Sequence, residues 1–566
     1  ADVIRVFEAG KEKPVAEIGG FHIPKAWIGA DSLVCGGAAE AGVYDLAKKV
    51  WAGRVKGIGG EFAVSPDGPK LAATGSGFRV RLYDLVTGKQ LHAENDSYPD
   101  PALLVGSADG RELFLLSTDT AYRWTIGAEG ARVVGTLPGR AVAAAVGGGT
   151  LVVATPDAVV VYANFDPAGP FPAKPTRAFK DSAGAKAVAV SSNGARVAWA
   201  GGGKVIVTDP TDAARRELPV TTTTVPALGF NAAGERLGVL GRDPFLRVWD
   251  VGAEKVKEVW KARVQRGLRG AVAFSPDGKL MTAASTGQLL VFDAADGKGD
   301  EPRKPLFQCD RSSENGPIHQ AAFSPDGRLL IVGAGGLYGR VEVWEVATRG
   351  LARTFTTGYG GTARVCVFPD GARVASAGAE EAVTVWDLTF RAGRPAPTPW
   401  ELRAAAADLV DSRASIGHPA VKVLAAAGDA GAEQLAQTLK DVIANEKKIR
   451  EWVADLGSET FRVREAASRE LVAQGVRALP ALQRAVNADD PEVRDRAREV
   501  MGKLNAKGFY PPAYGLVADQ LRLFRAVQAL EEIGTAEARR VLEDIAATGG
   551  RAGDEARAAL ARLGKR

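Results

Sequence analysis

The side chains best able to do chemistry in a chain of this length are histidine and cysteine, and they are few and scattered. His22, His92, His319 and His418 are isolated from one another, and Cys35, Cys309 and Cys366 form no CxxC pair. An odd number of distant cysteines gives neither a disulfide framework nor a zinc-type ligand set. His319, in GPIHQAAFSPDG, is expected to satisfy a local backbone group. Three glycine clusters invite a phosphate reading: GGGK (201–204), GAGGLYGR (333–340) and TTGYGGTAR (356–364). None has the GxxxxGK[ST] spacing or lies between a strand and a helix, so they read as strand-connecting turns, as does KDSAGAK (180–186). The acidic stretches at 94–101 and 296–304 do not follow the calcium-loop pattern. FYPPAY (509–514) reads as a packed interhelix loop. The expectation is therefore of no catalytic, cofactor-binding or metal-binding residues.

The chain of 566 residues has Lys+Arg 72 against Asp+Glu 67. That balance holds in both halves, with 26 against 25 in residues 401–566. No basic face large enough for nucleic acid is indicated. No run of about 18 apolar residues predicts a transmembrane helix. The chain begins with Ala1, consistent with trimming or with a cleaved leader. The expected compartment is the periplasm or cell envelope in the second case and the cytoplasm otherwise.

The elements that would position any site come from a repeat. A short β-branched strand ending in an aromatic, often followed by an acid, recurs through residues 1–390. Its copies include VIRVFEA (3–9), GVYDL (42–46), VRLYDL (80–85), LRVWDV (246–251), VEVWEV (341–346) and VTVWDL (383–388). The aromatic positions are Phe7, Tyr44, Tyr83, Trp124, Tyr162, Trp249, Phe292, Trp344 and Trp386, with Thr208 in one copy. Successive steps of 37 to 52 residues make nine intervals. Before most copies stands a tight turn, such as FSPDG (274–278 and 323–327) or FPDG (368–371). Proline fixes φ there and glycine accepts φ > 0. Alternating strands at this period predict four-stranded blades, with each aromatic filling the gap between neighbours. Arg79, Arg81, Arg123 and Arg247 alternate with apolar residues and are expected to face solvent.

The period, the SPDG turns and the WD, YD and FD strand ends resemble the WD-repeat family of β-propellers over about two-thirds of the chain. The family's Gly-His pair is absent, and so is most of its Asp-His-Ser/Thr-Trp network. The resemblance implies an all-β propeller of eight or nine blades over residues 1–390. Its ring should close by pairing the N-terminal strand with the last blade.

RAGRPAPTP (391–399) reads as a Pro/Gly-rich linker. Beyond it the period changes to 3.6, predicting helices near 400–412, 418–427, 430–444, 445–456, 459–474, 476–487, 490–504, 518–533, 535–547 and 553–563. In DPEVRDRAREVMGKL (490–504), Asp490 caps, Pro491 opens the helix, and Val493, Ala497, Val500 and Leu504 line one face. This segment, 400–566, resembles a HEAT-like α-helical domain. The order of the two modules resembles a group of planctomycete envelope and signalling proteins.

Both module types bind proteins without chemistry, so the expected function is a non-catalytic protein–protein interaction scaffold. Its partners would be other proteins, including further copies of the chain in a homo-oligomer or larger assembly. The alternatives are a ligand-binding or enzymatic propeller with a site in the central funnel, or the interaction portion of a larger signalling protein.

Overall fold

A computed structural model describes residues 3–7, 13–19, 23–28, 32–36, 40–56, 62–64, 70–74, 80–84 and 87 of the first hundred. Beyond them it describes 101–564, apart from loops at 128–130, 221–223, 266–269, 286–287, 297–300, 310–315, 336–337, 360–361, 379–382, 390–394 and 510–516.

Among the described residues, nine antiparallel sheets of three or four strands run through the first 390 residues, preceded by a two-stranded hairpin at 3–19. They match the nine repeat intervals in number, but seven of them close the ring instead of the eight or nine blades expected, because the first strand of the last sheet packs on that of the sheet at 101–136. In each, consecutive strands pair with their sequence neighbours. Two sheets, 23–56 and 62–84, come first. The other seven are numbered here as blades 1 to 7: 101–136, 143–179, 187–218, 227–263, 271–309, 318–359 and 362–387.

These seven form the propeller ring. The first strand of each blade packs against the first strand of the next, and the first strand of blade 7 packs against that of blade 1. Two bonds fasten this closure: Arg364 Nε donates to the Ala102 carbonyl at 2.8 Å, and the Gly106 N–H donates to Cys366 Sγ at 3.1 Å. Leu104, Leu113 and Leu115 of blade 1 share a dry cluster with Phe368, Ala375 and Ala377 of blade 7. A Cβ on Gly106 would sit 3.3 Å from the Phe368 ring, so the close approach suits glycine. The N-terminal strand does not complete the last blade as expected. Val3–Val6 pairs with Ala16–Gly19, and the hairpin buries Val6, Ala16 and Ile18 against Leu33, Cys35 and Tyr44 of the sheet at 23–56.

The turns between first and second strands share one side-chain arrangement. Ser107, Ser191 and Ser275 each donate to the Asp or Asn two residues on, at 2.5, 2.7 and 2.6 Å. Each accepts in return the backbone N–H five residues on, at 2.9, 3.0 and 2.9 Å. Ser324 and Asp326 repeat the arrangement in blade 6. A buried serine thus clips the turn shut, and its glycine takes positive φ, as Gly278 does at 71°.

Nine α-helices follow among the described residues: α1 Pro399–Asp408, α2 Ala414–Ala425, α3 Asp429–Asp455, α4 Phe461–Gln474, α5 Leu479–Ala485, α6 Pro491–Ala506, α7 Ala518–Ile533, α8 Ala536–Ala546 and α9 Gly550–Leu563. Segments 430–444 and 445–456, expected as two helices, are one: α3 runs unbroken for 27 residues, because no glycine or proline interrupts it after Gly431. It serves two cores. One joins its first half to α1, α2, α7, α8 and α9, and the other joins its second half to α4, α5 and α6. We call these the docked lobe and the distal lobe. The 391–399 segment does not hold two separate bodies apart, because α2 packs on the outer strand of blade 6, Gly350–Tyr359. Ala414 joins the cluster of blades 6 and 7.

Candidate functional site: the seam between propeller and helices

The acid that follows the repeat aromatic has one ordinary task. Asp45, Asp250, Asp293 and Asp387 each accept backbone N–H groups of the turn that follows, from Lys48, Gly252, Ala295 and Thr389 at 2.9 Å. Blade 6 carries Glu345 instead. Its carboxylate still accepts the Thr348 hydroxyl of the turn that follows, but it also faces the helical domain, where it receives Arg525 of α7 through two bonds, Nε at 2.8 Å and Nη2 at 2.7 Å. Arg525 is 0% exposed. Its Nη1 donates to the carbonyls of Leu409 and Asp411 at 2.9 and 2.6 Å. Gly417 of α2 makes room for it: a Cβ there would fall 1.8 Å from Nη1. Burial pushes the Glu345 carboxyl up, but the hydrogen bond and charge of Arg525 outweigh it and hold the group below its ordinary range.

A second cluster lies beside this pair. Arg328, on the first turn of blade 6, reaches Glu531 of α7 at 2.8 Å and Glu555 of α9 at 2.7 Å. Arg562 pairs with the same two acids, at 2.7 and 2.8 Å, and Lys422 of α2 pairs with Glu532 at 2.6 Å. Between these helices and the turns at 324–329 and 369–372 lies a cavity of about 480 Å³, lined by Asp326, Asp370, Lys422, Glu531 and Arg562 among others. Those charges are committed to one another or to neighbouring arginines. His418 is fully buried in the same seam. Burial first, then the Lys422 charge, lowers its pKa to about 4, so it is neutral at pH 7.

The repeat positions fall in one register. Tyr44 pairs across the sheet with Leu33, Tyr83 with Leu71, Trp124 with Leu113, Tyr162 with Leu151, Trp249 with Leu237, Phe292 with Met281, Trp344 with Leu330 and Trp386 with Val374. Tyr162, Trp249, Phe292 and Trp344 are buried against the preceding blade. Trp386 stacks on Phe355 of blade 6 at 5.0 Å. Trp124 is half-buried, and the side chain of Tyr83 lies outside the described residues. Phe7 departs from the series. It follows the hairpin strand, has no second strand of a blade to pair with, and is 53% exposed.

Arg123 and Arg247 are not the solvated charges expected. Arg123 is 6% exposed, donating to the Pro167 carbonyl at 2.9 Å and facing Glu112 at 3.5 Å. Arg247 pairs with Asp243 at 2.5 Å. These long side chains on third strands find acids on the neighbouring strand or in the adjoining turn. Arg79 and the side chain of Arg81 lie outside the described residues, as do 94–100, most of 509–514 and part of 356–364. His319 Nε2 lies 3.1 Å from the Gly335 carbonyl, the local backbone partner expected. GGGK (201–204) is the hairpin turn of blade 3, by Val197–Gly201 and Lys204–Thr208. In the central channel, Gln320 accepts the Val365 N–H at 3.0 Å and Arg364 holds blade 1, so these polar groups join blades. No group of three or more His, Cys, Asp or Glu suited to a metal occurs among the described residues. No helix among them is long and apolar enough to cross a membrane. No protein-family model matches the chain.

Proposed function

We propose that the chain is a non-catalytic protein–protein interaction scaffold: a WD-repeat propeller bearing a HEAT-like helical domain, akin to the planctomycete proteins of that module order. The observation that carries this reading is the seam itself. Blade 6 binds a helical module through a buried bidentate ion pair, Glu345–Arg525, rimmed by further charges, an arrangement typical of the centre of a protein–protein interface. The ring is thus already a platform for helical protein within its own chain.

Strand direction alternates within each blade, so first-to-second and third-to-fourth turns share one face. The helical domain covers that face at blades 6 and 7. The opposite face carries a depression of about 390 Å³ at blade 3, lined by Lys186, Gly201, Gly202, Gly203, Lys204 and Thr224. Partner proteins reach this face and the distal lobe. Cross-linking mass spectrometry in the native cell tests the reading with the full chain, a Lys186→Glu/Lys204→Glu variant and Arg498→Glu on α6. The expected result is a defined set of proteins on the wild type, with part of it lost from one variant. Cross-links unchanged by both variants, or turnover of a small molecule by the purified chain, would overturn it.

A further inference from the structure

The two helical lobes meet at the middle of α3. Leu435, Leu439, Val442 and Ile443 belong to the docked core, and Ile449, Trp452, Val453 and Leu456 to the distal one. Glu446 stands at the handover. It is half-buried, and among the described residues its carboxylate has no hydrogen bond or ion pair. Three arginines cross the same seam. Arg450 Nη1 donates to the Ala547 carbonyl at the end of α8, at 3.1 Å. Arg477, beside α5, pairs with Asp519 on the first turn of α7 at 2.9 Å. Arg484 of α5 lies over the start of α9, where a Cβ on Gly550 would fall 2.6 Å from its Nη2. Besides the return of the chain from α6 to α7, the distal lobe is joined to the docked lobe, among the described residues, by one shared helix and a few polar contacts, with an acid placed among them.

We infer that this seam is a proton-dependent hinge: the lobes stay closed while Glu446 holds its proton, and its ionisation lets α4, α5 and α6 move away from α7, α8 and α9.

Burial raises the Glu446 carboxyl to about 7; Asp519 adds to the rise and Arg484 opposes it. The sign follows from linkage. A carboxyl whose value is raised in the closed form favours closing below its ordinary range, and that contribution is lost as pH rises through about 7. The other charges around the junction have partners or lie outward. Arg477 and Arg522 face Asp519. Lys447 and Arg450 share the helix of Glu446, and Arg450 is held by Ala547. On α4 and α6, Arg464 and Arg496 are matched by Glu465 and Glu492. On α8, Arg540 pairs with Glu537, and on α2 Lys422 pairs with Glu532. Ionised Glu446 is repelled by Asp519, which loosens the seam, while the attraction of Arg484 works against that opening.

Hydrogen exchange on the full chain, corrected for intrinsic rates, tests this between pH 6 and 8. Protection in α4, α5 and α6 should fall about tenfold across that range, the drop expected for a group moved from 4.5 to about 7. Protection in the propeller should stay level. Glu446→Gln, which mimics the protonated form, should keep the lobes closed and remove the dependence. Asp519→Asn should leave the hinge working but move its midpoint to lower pH. The inference falls if Glu446→Gln retains the wild-type dependence, if Asp519→Asn leaves the midpoint unmoved, or if the wild type shows no change.

Discussion

Helices α6 and α7 have the same length, 16 residues each, and draw on the same few residue types. In α6 the buried residues are Ala497, Val500 and Leu504, a single stripe, with the charged remainder in water. In α7 the buried set includes Gln520, Arg525, Gln528 and Glu531 as well as Leu521, Leu523, Val527 and Leu530. One helix has a core on one side; the other has a core on one side and a propeller on the other. A charged face is therefore no guide to solvent. The same arginine and glutamate that coat α6 become, on α7, the fastening of two modules.

The largest way to test that contrast is Arg525→Ala. It leaves Glu345 buried without its partner, a loss of about 3–5 kcal/mol. Chemical denaturation should show it, and hydrogen exchange should place it in α2, α7 and blade 6 together. A cost below about 1 kcal/mol would mean that α7 is no better anchored than α6. Next comes Leu504→Ala, at about 2–5 kcal/mol. Exchange should show its effect confined to α4, α5, α6 and the second half of α3. Loosening of blade 6 by this change would erase the distinction between the lobes.

Acid should separate the two regions more gently. Neutral His418 is held at about 4, so its contribution is complete above its ordinary 6.5 and lost as pH falls towards 4. Glu345, Asp326 and Glu531 are all lowered, against the push of burial, by their arginine partners and hydrogen bonds. Their contribution disappears in the same direction at still lower pH. The seam should weaken by about 1–3 kcal/mol between pH 7 and 5, read as lost protection at the blade 6 turns. His418→Leu should flatten that slope. The smallest effect is expected within the ring. Ser275→Ala opens a clip that touches no helix and should cost about 1 kcal/mol. Ser324→Ala opens its counterpart in the docked blade and should cost more, because Asp326 also faces Arg328. Equal melting shifts for the two variants would show that docking adds nothing to that turn.

Much of this molecule was legible as pattern. Tyr44, Trp249 and Trp386 could be placed because a repeat of fixed length puts the same residue type at the same point of each blade, and local turn chemistry sets where each strand stops. Phe7 misled because an aromatic at the right spacing does not by itself bring a sheet to pair with. Arg123 misled because strand alternation gives a side chain's face and not what lies over that face. The seam left one sign in the sequence, the Glu of VWEV where the neighbouring repeats end in WD or FD. A one-methylene change is readable only once the task of the other acids is known.

What the sequence by itself determined is local and periodic: the strand repeat, the SPDG turns, the switch to helices and the apolar stripe of each, all set by contacts between near neighbours in the chain. The tertiary structure decided which repeats close. Phe368 and Arg364 meet blade 1 some 260 residues away, so the ring takes seven sheets and leaves two outside. It also decided that Glu345 meets Arg525 across 180 residues. Such pairs depend on complementary shape and charge between surfaces that chain order does not bring together, so no periodicity records them.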